Sequence, residues 1–193
     1  MLYRQRMRCL SNKISIAMKK LSMDELNRVT TEEFKAQKKI PLVVVMDNVR
    51  SMYNVGSVFR TCDAFSVERL LLCGITACPP HKEITKTALG ATESVDWKHY
   101  GTTVEAVTEL RQQGYKVFAV EQVDTSVMLD RMEMPCVEKT AVVLGNEVFG
   151  VDDEVLALCD GAIEIPQNGT KHSLNVSIAG GIVIWEFFKK MMK

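Results

Sequence analysis

The sequence lacks the patterns that mark metalloproteins, disulfide-bonded proteins and membrane proteins. Its six cysteines include no CxxC pair, and its three histidines have no partners at metal-ligand spacing. No apolar run approaches the roughly 20 residues that cross a bilayer. These absences predict a cytoplasmic protein with reduced thiols, without a metal and without a membrane partner.

Nucleotide-binding glycine motifs are also missing. The segment "GNEVFG" (145–150) has the outer spacing of a phosphate loop, but Val151 and Asp152 stand where Lys and Ser/Thr are required. Glu147 would place a negative charge beside the phosphates, and G-x-G-x-x-G occurs nowhere. Binding of a nucleoside triphosphate is therefore disfavoured, although the two glycines still allow a ligand to approach the backbone closely.

Net charge is absent as well, because 24 basic and 24 acidic residues balance. The balance conceals a basic start, since residues 1–40 hold ten lysines and arginines against four acids. Such a segment favours a polyanionic partner, or it is a solubilising tail. Residues 1–20 contain no acid and are predicted to be a poorly ordered basic leader; they are similar to a transit peptide, or Met18 is the true start.

What the sequence does contain is a regular alternation of helix and strand patterns. A capping box at Ser22–Glu25 predicts a helix that continues to Lys39 and ends at Pro41. Further helices are predicted at 54–65, 81–90, 102–114, 152–159 and 173–192, and strands at 42–46, 69–74, 95–100, 115–120, 140–145 and 162–166. Because the strands are continuous apolar runs, they predict an α/β domain with a mostly parallel sheet and helices on both faces.

No internal repeat, low-complexity tract or linker interrupts this alternation. We expect a single domain at 21–193, with a helical extension at 21–40 and a core at 41–193. The Gly180-Gly181 pair inside the last helix costs stability, which predicts close packing of another backbone there. Ligands of such sheets bind at the carboxyl ends of the strands, so the segments that follow the strands are the expected site.

Three polar loops follow predicted strands. In "DNVRSMYNVGSVFR", Asn54 and Gly56 would lie at an exposed helix N-terminus, with Arg60 able to reach back to a ligand. The alternative is a cap, a packing glycine and a surface arginine. The other loops are "GNEVFG" and "PQNGTKHSLNVS", where Ser173 is the expected N-cap and Asn175 a first-turn residue. None holds a triad or an acid–base pair, which suits a cofactor that already carries the reactive bond.

The three loops together resemble a known family. "NVGSVFRTCDAF", "VVLGNEVFGV" and "IEIPQNGTKHSLNVSIAGGIVIWE" are similar, in order and spacing, to motifs 1, 2 and 3 of the SpoU/TrmH family. These proteins are RNA 2′-O-ribose methyltransferases of the SPOUT superfamily. The resemblance covers about residues 40–190 and makes 41–193 the catalytic core, with a C-terminal deep trefoil knot in the α/β fold.

The resemblance also implies S-adenosylmethionine as the cofactor and a homodimer formed through the knot region. Largely backbone contacts to the cofactor are implied for Val120, Glu121, Leu144, Gly145, Asn146, Gly150, Ile165, Gln167, Ser173 and Leu174. The active-site positions of the family are matched by Asn54, Arg60, Glu147, Ser173 and Asn175. This chain departs from the usual motif at Gln167, where an apolar residue is common, and at Lys171-His172.

The implied reaction is an in-line attack of a ribose 2′-oxygen on the sulfonium methyl group, which depends on alignment of the two atoms. The family assigns removal of the 2′-hydroxyl proton to the arginine matching Arg60. A guanidinium is normally protonated, and it then has no acceptor. Either the site strongly favours the neutral form, or Arg60 stabilises the developing alkoxide and another group takes the proton.

RNA is the implied partner, tRNA or rRNA, and phosphate contacts should give most of the affinity. The candidate contacts are Arg4, Arg6, Arg8, Lys19, Lys20, Arg28, Lys38, Lys39 and Arg50. Two alternatives to ribose methylation remain at this point. One is a non-catalytic RNA-binding or assembly protein on the same scaffold, and the other is a methyltransferase that modifies a base.

Overall fold

The computed structural model describes residues 19–22, 25, 29–132, 139–171 and 173–191. Contacts divide the chain into two units, Met1–Thr30 and Thr31–Lys193. In the part of the chain that is described, no helix is both long enough and apolar enough to cross a membrane.

The first unit contains the predicted capping box. Glu25 Oε2 accepts a hydrogen bond from Ser22 N–H (2.7 Å), and Glu25 N–H donates to Ser22 Oγ (3.3 Å). Lys19 Nζ lies 3.1 Å from the Glu25 carboxylate. The predicted continuous helix to Lys39 is wrong, because residues 29–30 are not helical. The run "VTT" (29–31) explains the break, since consecutive β-branched residues lower helix propensity.

The second unit contains helices interspersed with strands, seven of each among its described residues. The strands are β1 (Ile40–Asp47), β2 (Val67–Cys73), β3 (Trp97–Tyr100), β4 (Lys116–Val120), β5 (Val127–Met128), β6 (Thr140–Leu144) and β7 (Gly161–Glu164). The helices are α1 (Thr31–Ala36), α2 (Met52–Ala64), α3 (Lys82–Ala88), α4 (Ala91–Ser94), α5 (Thr103–Gln112), α6 (Asp153–Leu156) and α7 (Val176–Met191).

All seven strands form one parallel sheet in the order β3-β2-β1-β6-β4-β7-β5. The prediction of an α/β fold with a mostly parallel sheet is therefore confirmed, as are the six predicted strands. The two-residue β5 was not predicted, because it is too short to show a pattern. Pro41 lies inside β1 rather than ending a helix, and the register shifts between Ile40 and Val43 around this residue without an N–H group.

The apolar run of β1 has a direct explanation in the core. Leu42, Val44 and Met46 pack into one buried cluster, whereas Val43 and Val45 pack into the cluster on the opposite face. The first cluster also contains residues of α2 and α7, and the second contains residues of α5. Successive strand residues point to opposite faces, so a strand covered by helices on both sides is apolar throughout.

Two helix starts differ from the prediction. Helix α2 begins at Met52, and its N-cap is Ser51, whose Oγ accepts from Asn54 N–H at 3.4 Å. Asn54 is thus a buried residue of the first turn and not the exposed N-terminus. Helix α7 begins at Val176, and Asn175 rather than Ser173 caps it, since Asn175 Oδ1 accepts from Ser177 N–H at 3.0 Å.

Glycines place two helices close to their neighbours. A Cβ on Gly56 would lie 2.4 Å from the carbonyl oxygen of Ile84, so α2 packs on the backbone of α3. A Cβ on Gly180 would lie 2.8 Å from Leu144 Cδ1, whereas one on Gly181 would meet nothing within 4 Å. The close contact in α7 is therefore made by Gly180, against the Leu144 side chain rather than a backbone, and no described atom of the same chain lies near a Cβ on Gly181.

Candidate active site

A cavity of about 710 Å³ lies at the carboxyl ends of β4, β6 and β7 and is lined by the loops that follow them. We call it the loop cavity. It is lined by all ten residues predicted to contact the cofactor: Val120, Glu121, Leu144, Gly145, Asn146, Gly150, Ile165, Gln167, Ser173 and Leu174. Glu147 and Asn175 line it too. The structure thus brings together residues that are more than 50 positions apart in the sequence, at the sheet edge where a site was expected.

The loop 145–150 has one well-defined shape. Asn146 N–H donates to the carbonyl oxygen of Gly150 (2.8 Å), and Gly150 N–H donates back to that of Asn146 (3.0 Å). A Cβ on Gly145 would lie 2.2 Å from the carbonyl carbon of Gly150. Position 145 therefore requires glycine for a steric reason, which the spacing of the two glycines alone does not reveal.

Glu121 ties this loop to the end of β4. Its Oε2 accepts from Val151 N–H (3.1 Å) and its Oε1 from Gln122 N–H (2.9 Å). Gly150 has a φ of 72°, and a Cβ there would lie 2.2 Å from Glu121 Oε2. Because its carboxylate oxygens accept these backbone bonds, Glu121 shapes the wall of the loop cavity.

A chain of polar side chains joins α2, the 145–150 loop and the residue before α7, and two of its members, Glu147 and Asn175, line the loop cavity. Asn54 Nδ2 donates to Glu147 Oε1 (2.9 Å), and Asn54 Oδ1 accepts from Asn175 Nδ2 (3.1 Å). Glu147 also accepts from the backbone N–H groups of Arg50 (2.9 Å) and Ser51 (3.0 Å). Three of the five predicted catalytic residues are therefore in direct contact, and the amide orientation of Asn54 is fixed by both neighbours.

The Glu147 carboxylate is held in its charged form. Partial burial opposes the charge, but the hydrogen bonds that the carboxylate accepts outweigh this effect, so the pKa of Glu147 lies below its ordinary value. A charged carboxylate accepts hydrogen bonds and donates none. Glu147 is thus suited to orient Asn54.

Sequence reasoning missed a second cluster, formed where β1 ends. Asp47 is completely buried and accepts from Thr103 Oγ1 (2.5 Å), Asn48 Nδ2 (3.0 Å) and Asp152 N–H (3.1 Å). Burial raises the pKa of Asp47 above its ordinary value. The carbonyl oxygen of Asn48 accepts from Asn146 Nδ2 (2.7 Å), which connects the cluster to the 145–150 loop. The available signal was the dipeptide "DN" at the carboxyl end of a buried strand.

Arg60 lies elsewhere. It borders a second cavity of about 460 Å³, which we call the Arg60 cavity, lined by Ser57, Arg60, Thr61, Ala64, Phe65, Lys86 and Thr87. Its side chain is exposed and makes no hydrogen bond or ion pair with any described residue. Six residues advance a helix by about 600°, so Arg60 leaves α2 about 240° around the axis from Asn54. Within one chain it does not reach back to the loop cavity, contrary to the expectation.

The candidate RNA contacts are scattered. Arg50 is exposed beside Glu147, and Lys38 is exposed after α1. The ammonium group of Lys39 already has partners within the chain. Its Nζ lies 3.0 Å from the centroid of the Phe34 ring and donates to the Phe34 carbonyl oxygen. Lys19 and Lys20 are exposed in the first unit. Four other candidates lie outside the described residues: Arg4, Arg6, Arg8 and Arg28.

Known proteins share both the sequence pattern and the fold. The SpoU rRNA Methylase family matches residues 41–185. The chain is 32% identical over 169 residues to a tRNA (guanosine(18)-2′-O)-methyltransferase of Thermus thermophilus, covering 88% of this chain and 85% of that protein. It is similar to the crystal structure of the A. aeolicus TrmH/SpoU tRNA modifying enzyme, with a TM-score of 0.73 and 25% identity, over 100% of this chain and 85% of that one. It is also similar to the crystal structure of an AdoMet-bound rRNA methyltransferase of Sinorhizobium meliloti, with a TM-score of 0.73 and 26% identity. This match covers 79% of this chain and 57% of that one.

Proposed function

The chain belongs to the SpoU rRNA Methylase family, and from this premise we propose that it transfers a methyl group from S-adenosylmethionine to a ribose 2′-hydroxyl of tRNA or rRNA. The relatives named above include tRNA and rRNA methyltransferases, one of them with AdoMet bound. The observation that carries the proposal is the loop cavity, where three strand-end loops meet the Glu147–Asn54–Asn175 chain.

The residues of the loop cavity fit the cofactor. Its volume of about 710 Å³ lies within the range of small-molecule sites, roughly 300–1,000 Å³. Gly145 and Gly150 allow the tight loop that forms one wall, because a Cβ on either residue would lie 2.2 Å from another protein atom. Leu144, Ile165 and Leu174 supply apolar walls. When bound, S-adenosylmethionine supplies a sulfonium methyl group that is open to attack by an oxygen nucleophile.

The hydrogen-bonded side chains of Glu147, Asn54 and Asn175 would position the ribose. Glu147, held charged, fixes the amide of Asn54, which in turn fixes Asn175. Each of these amides keeps hydrogen-bonding capacity beyond the bonds within the chain. Alignment of the attacking and accepting atoms is the main contribution that such a site makes.

Arg60 would stabilise the alkoxide that develops as the 2′-hydroxyl loses its proton. An exposed, protonated guanidinium donates hydrogen bonds and has no lone pair to accept a proton. The proton therefore passes to another acceptor, such as water or a phosphate oxygen of the RNA. This is the second of the two roles open to Arg60 from the sequence, and it follows from the donor-only chemistry of a guanidinium.

We further propose that a second copy of the chain brings Arg60 to the loop cavity. Helix α7 exposes an apolar stripe at helical spacing, with Ile178 55%, Ile182 37% and Trp185 48% exposed. Trp185 packs against Phe65, which lines the Arg60 cavity, with ring centroids 5.6 Å apart. A partner that covers the stripe would therefore lie beside Arg60. The knot, the cytoplasmic location and the domain limits of 21–193 remain predictions from the sequence.

Nucleoside analysis of RNA from a strain in which the gene is deleted tests the function. We expect loss of a single 2′-O-methyl nucleoside, restored by the wild-type gene. Loss of a base-methylated nucleoside would support the base-modifying alternative instead. An unchanged nucleoside profile, together with RNA binding by the pure protein, would support the non-catalytic alternative.

A further inference from the structure

The tip of the 145–150 loop exposes two apolar side chains at the rim of the loop cavity. Phe149 is 81% exposed and Val148 64% exposed, although both line the cavity. Phe149 has the largest exposed fraction of the large apolar residues that the structure describes. Water is a poor environment for an aromatic ring, so this position calls for a partner that covers it.

The exposure does not result from a loose loop. Asn146 Oδ1 accepts from the N–H groups of both Val148 (2.8 Å) and Phe149 (3.2 Å). Asn146 is itself held by the carbonyl oxygen of Asn48 (2.7 Å) and by the paired bonds to Gly150. The same loop turns Glu147 towards Asn54. The ring of Phe149 is therefore presented outward by a fixed backbone.

We propose that Phe149 stacks on an unpaired nucleobase of the RNA substrate beside the ribose that is methylated. This inference rests on the proposed function. Aromatic side chains recognise single-stranded RNA by stacking on splayed bases, because every base presents a π face. Phe149 lies two residues after Glu147 on the same loop. It is therefore at the rim where, by the proposed function, the 2′-hydroxyl enters. The substrate class is therefore a nucleotide of an RNA loop or bulge, and not one stacked inside a duplex.

The surroundings favour a nucleobase over other occupants. Arg50 is exposed and its backbone N–H is bonded to Glu147, so a cation suited to a phosphate flanks the same loop. A protein seated on the tip would close the rim through which the ribose enters. A cofactor inside the cavity would cover only the part of the ring that faces the cavity.

The test compares full-length variants with RNA from the deletion strain as substrate and labelled S-adenosylmethionine as donor. For Phe149→Ala, kcat/KM for RNA should fall about ten- to hundredfold, the usual range for one lost base stack. Phe149→Trp should restore it, whereas Phe149→Leu should remain impaired, because leucine is apolar but has no π face. Calorimetry should show that the affinity for S-adenosylmethionine falls much less than kcat/KM, and the salt dependence of RNA binding should keep its slope because no phosphate contact is lost.

Ile75→Ala is the matched control. Ile75 is 66% exposed and lines neither cavity, so its loss should leave all these values unchanged. The proposal is overturned if Phe149→Leu behaves as wild type, if Phe149→Ala weakens cofactor binding in proportion to activity, or if Phe149→Ala changes the oligomeric state. If wild-type protein transfers no methyl group, the proposed function fails, and filter binding of the same RNA still decides whether Phe149→Ala weakens binding.

Discussion

The loop cavity is enclosed by hydrogen bonds between its own loops, whereas the Arg60 cavity is bordered by cations that stay exposed. In the first, Asn146, Glu147 and Glu121 each accept at least two hydrogen bonds. In the second, Arg60 has no partner among the described residues, and Lys86 contacts only the ring of Tyr53, at 5.8 Å. The loop cavity is therefore ready for a ligand in a single chain.

The difference indicates that the two cavities have separate functions. A rigid, hydrogen-bonded pocket loses little entropy on binding, which suits a small cofactor that must be held in one pose. Exposed cations suit a large polyanion, or a catalytic group that acts only after a partner covers it. If so, substitutions in the two cavities should separate cofactor binding from methyl transfer.

The largest effect is expected at Arg60. Arg60→Ala should reduce methyl transfer by about 10³-fold, the scale for loss of a group that stabilises charge in a transition state. Calorimetry should find the affinity for S-adenosylmethionine almost unchanged, because Arg60 does not line the loop cavity. Arg60→Lys, which keeps the charge, should recover part of the activity. Loss of cofactor binding in Arg60→Ala would show that the two cavities do not have separate functions.

The converse substitution lies in the loop cavity. Gly145→Ala should weaken cofactor binding by roughly 100-fold, because the added methyl group would be 2.2 Å from the Gly150 backbone, and overpacking of this kind costs about 1–3 kcal/mol. Gly101→Ala is the control, since its Cβ would meet only a flexible glutamate at 3.4 Å. Calorimetry on both variants is the measurement. Normal cofactor affinity in Gly145→Ala would place the cofactor elsewhere.

A smaller effect is expected from the apolar stripe of α7. Ile178→Glu places a charge on a residue that is 55% exposed, so the monomer should fold while a dimer through this face should dissociate. Sedimentation velocity should show weaker association with normal cofactor affinity, and transfer should fall with the lost dimer, by about tenfold if the buried charge costs about 1.4 kcal/mol of association energy. A variant that stays dimeric would show that another face mediates association.

The smallest effect is the pH dependence due to Glu147. Its folded pKa lies below the ordinary 4.5, so its stabilisation is complete above that pH and is lost as the pH falls through the folded pKa. Because Glu147 is exposed to screening solvent, the contribution should be less than about 1 kcal/mol. Urea midpoints should fall less steeply with acid in Glu147→Gln than in wild type. Glu93→Gln should follow wild type, because the Glu93 side chain makes no hydrogen bond or ion pair with a described residue.

Much of the fold was predictable because burial leaves a local record in the sequence. "LVVVM" is apolar at every position because β1 is covered on both faces, and Thr102 and Glu105 form the capping box of α5 within four residues. The short elements β5 and α4 were not predicted, since neither is long enough to show a period and neither has the run of acids that marks the start of the short helix α6. The starts of α2 and α7 were predicted at the wrong residues, because each helix has two nearby polar residues that could cap it.

The site was predictable for residues that follow strands, and not for side-chain direction. Glu147, Asn54 and Asn175 meet because the topology brings their three loops to one edge of the sheet. Arg60 does not join them, because its direction depends on where α2 begins and on helical phase. Asp47 and Asn48 were missed since their bonds reach Asp152 and Asn146, which no local pattern connects to them.

The hydrogen bonds of the site also bear on how the chain folds. Those that connect β1 and α2 to the later loops join residues 93 to 121 positions apart, as in Asn54–Glu147, Asn48–Asp152 and Asn54–Asn175. Contacts of such long separation require a large loop closure before they stabilise anything, and they slow folding. Hence a fragment that lacks either half of the chain cannot form the Glu147–Asn54–Asn175 chain, and the complete site appears only in molecules whose long-range topology has formed. Ligand binding is then a direct count of fully folded protein in any refolding experiment.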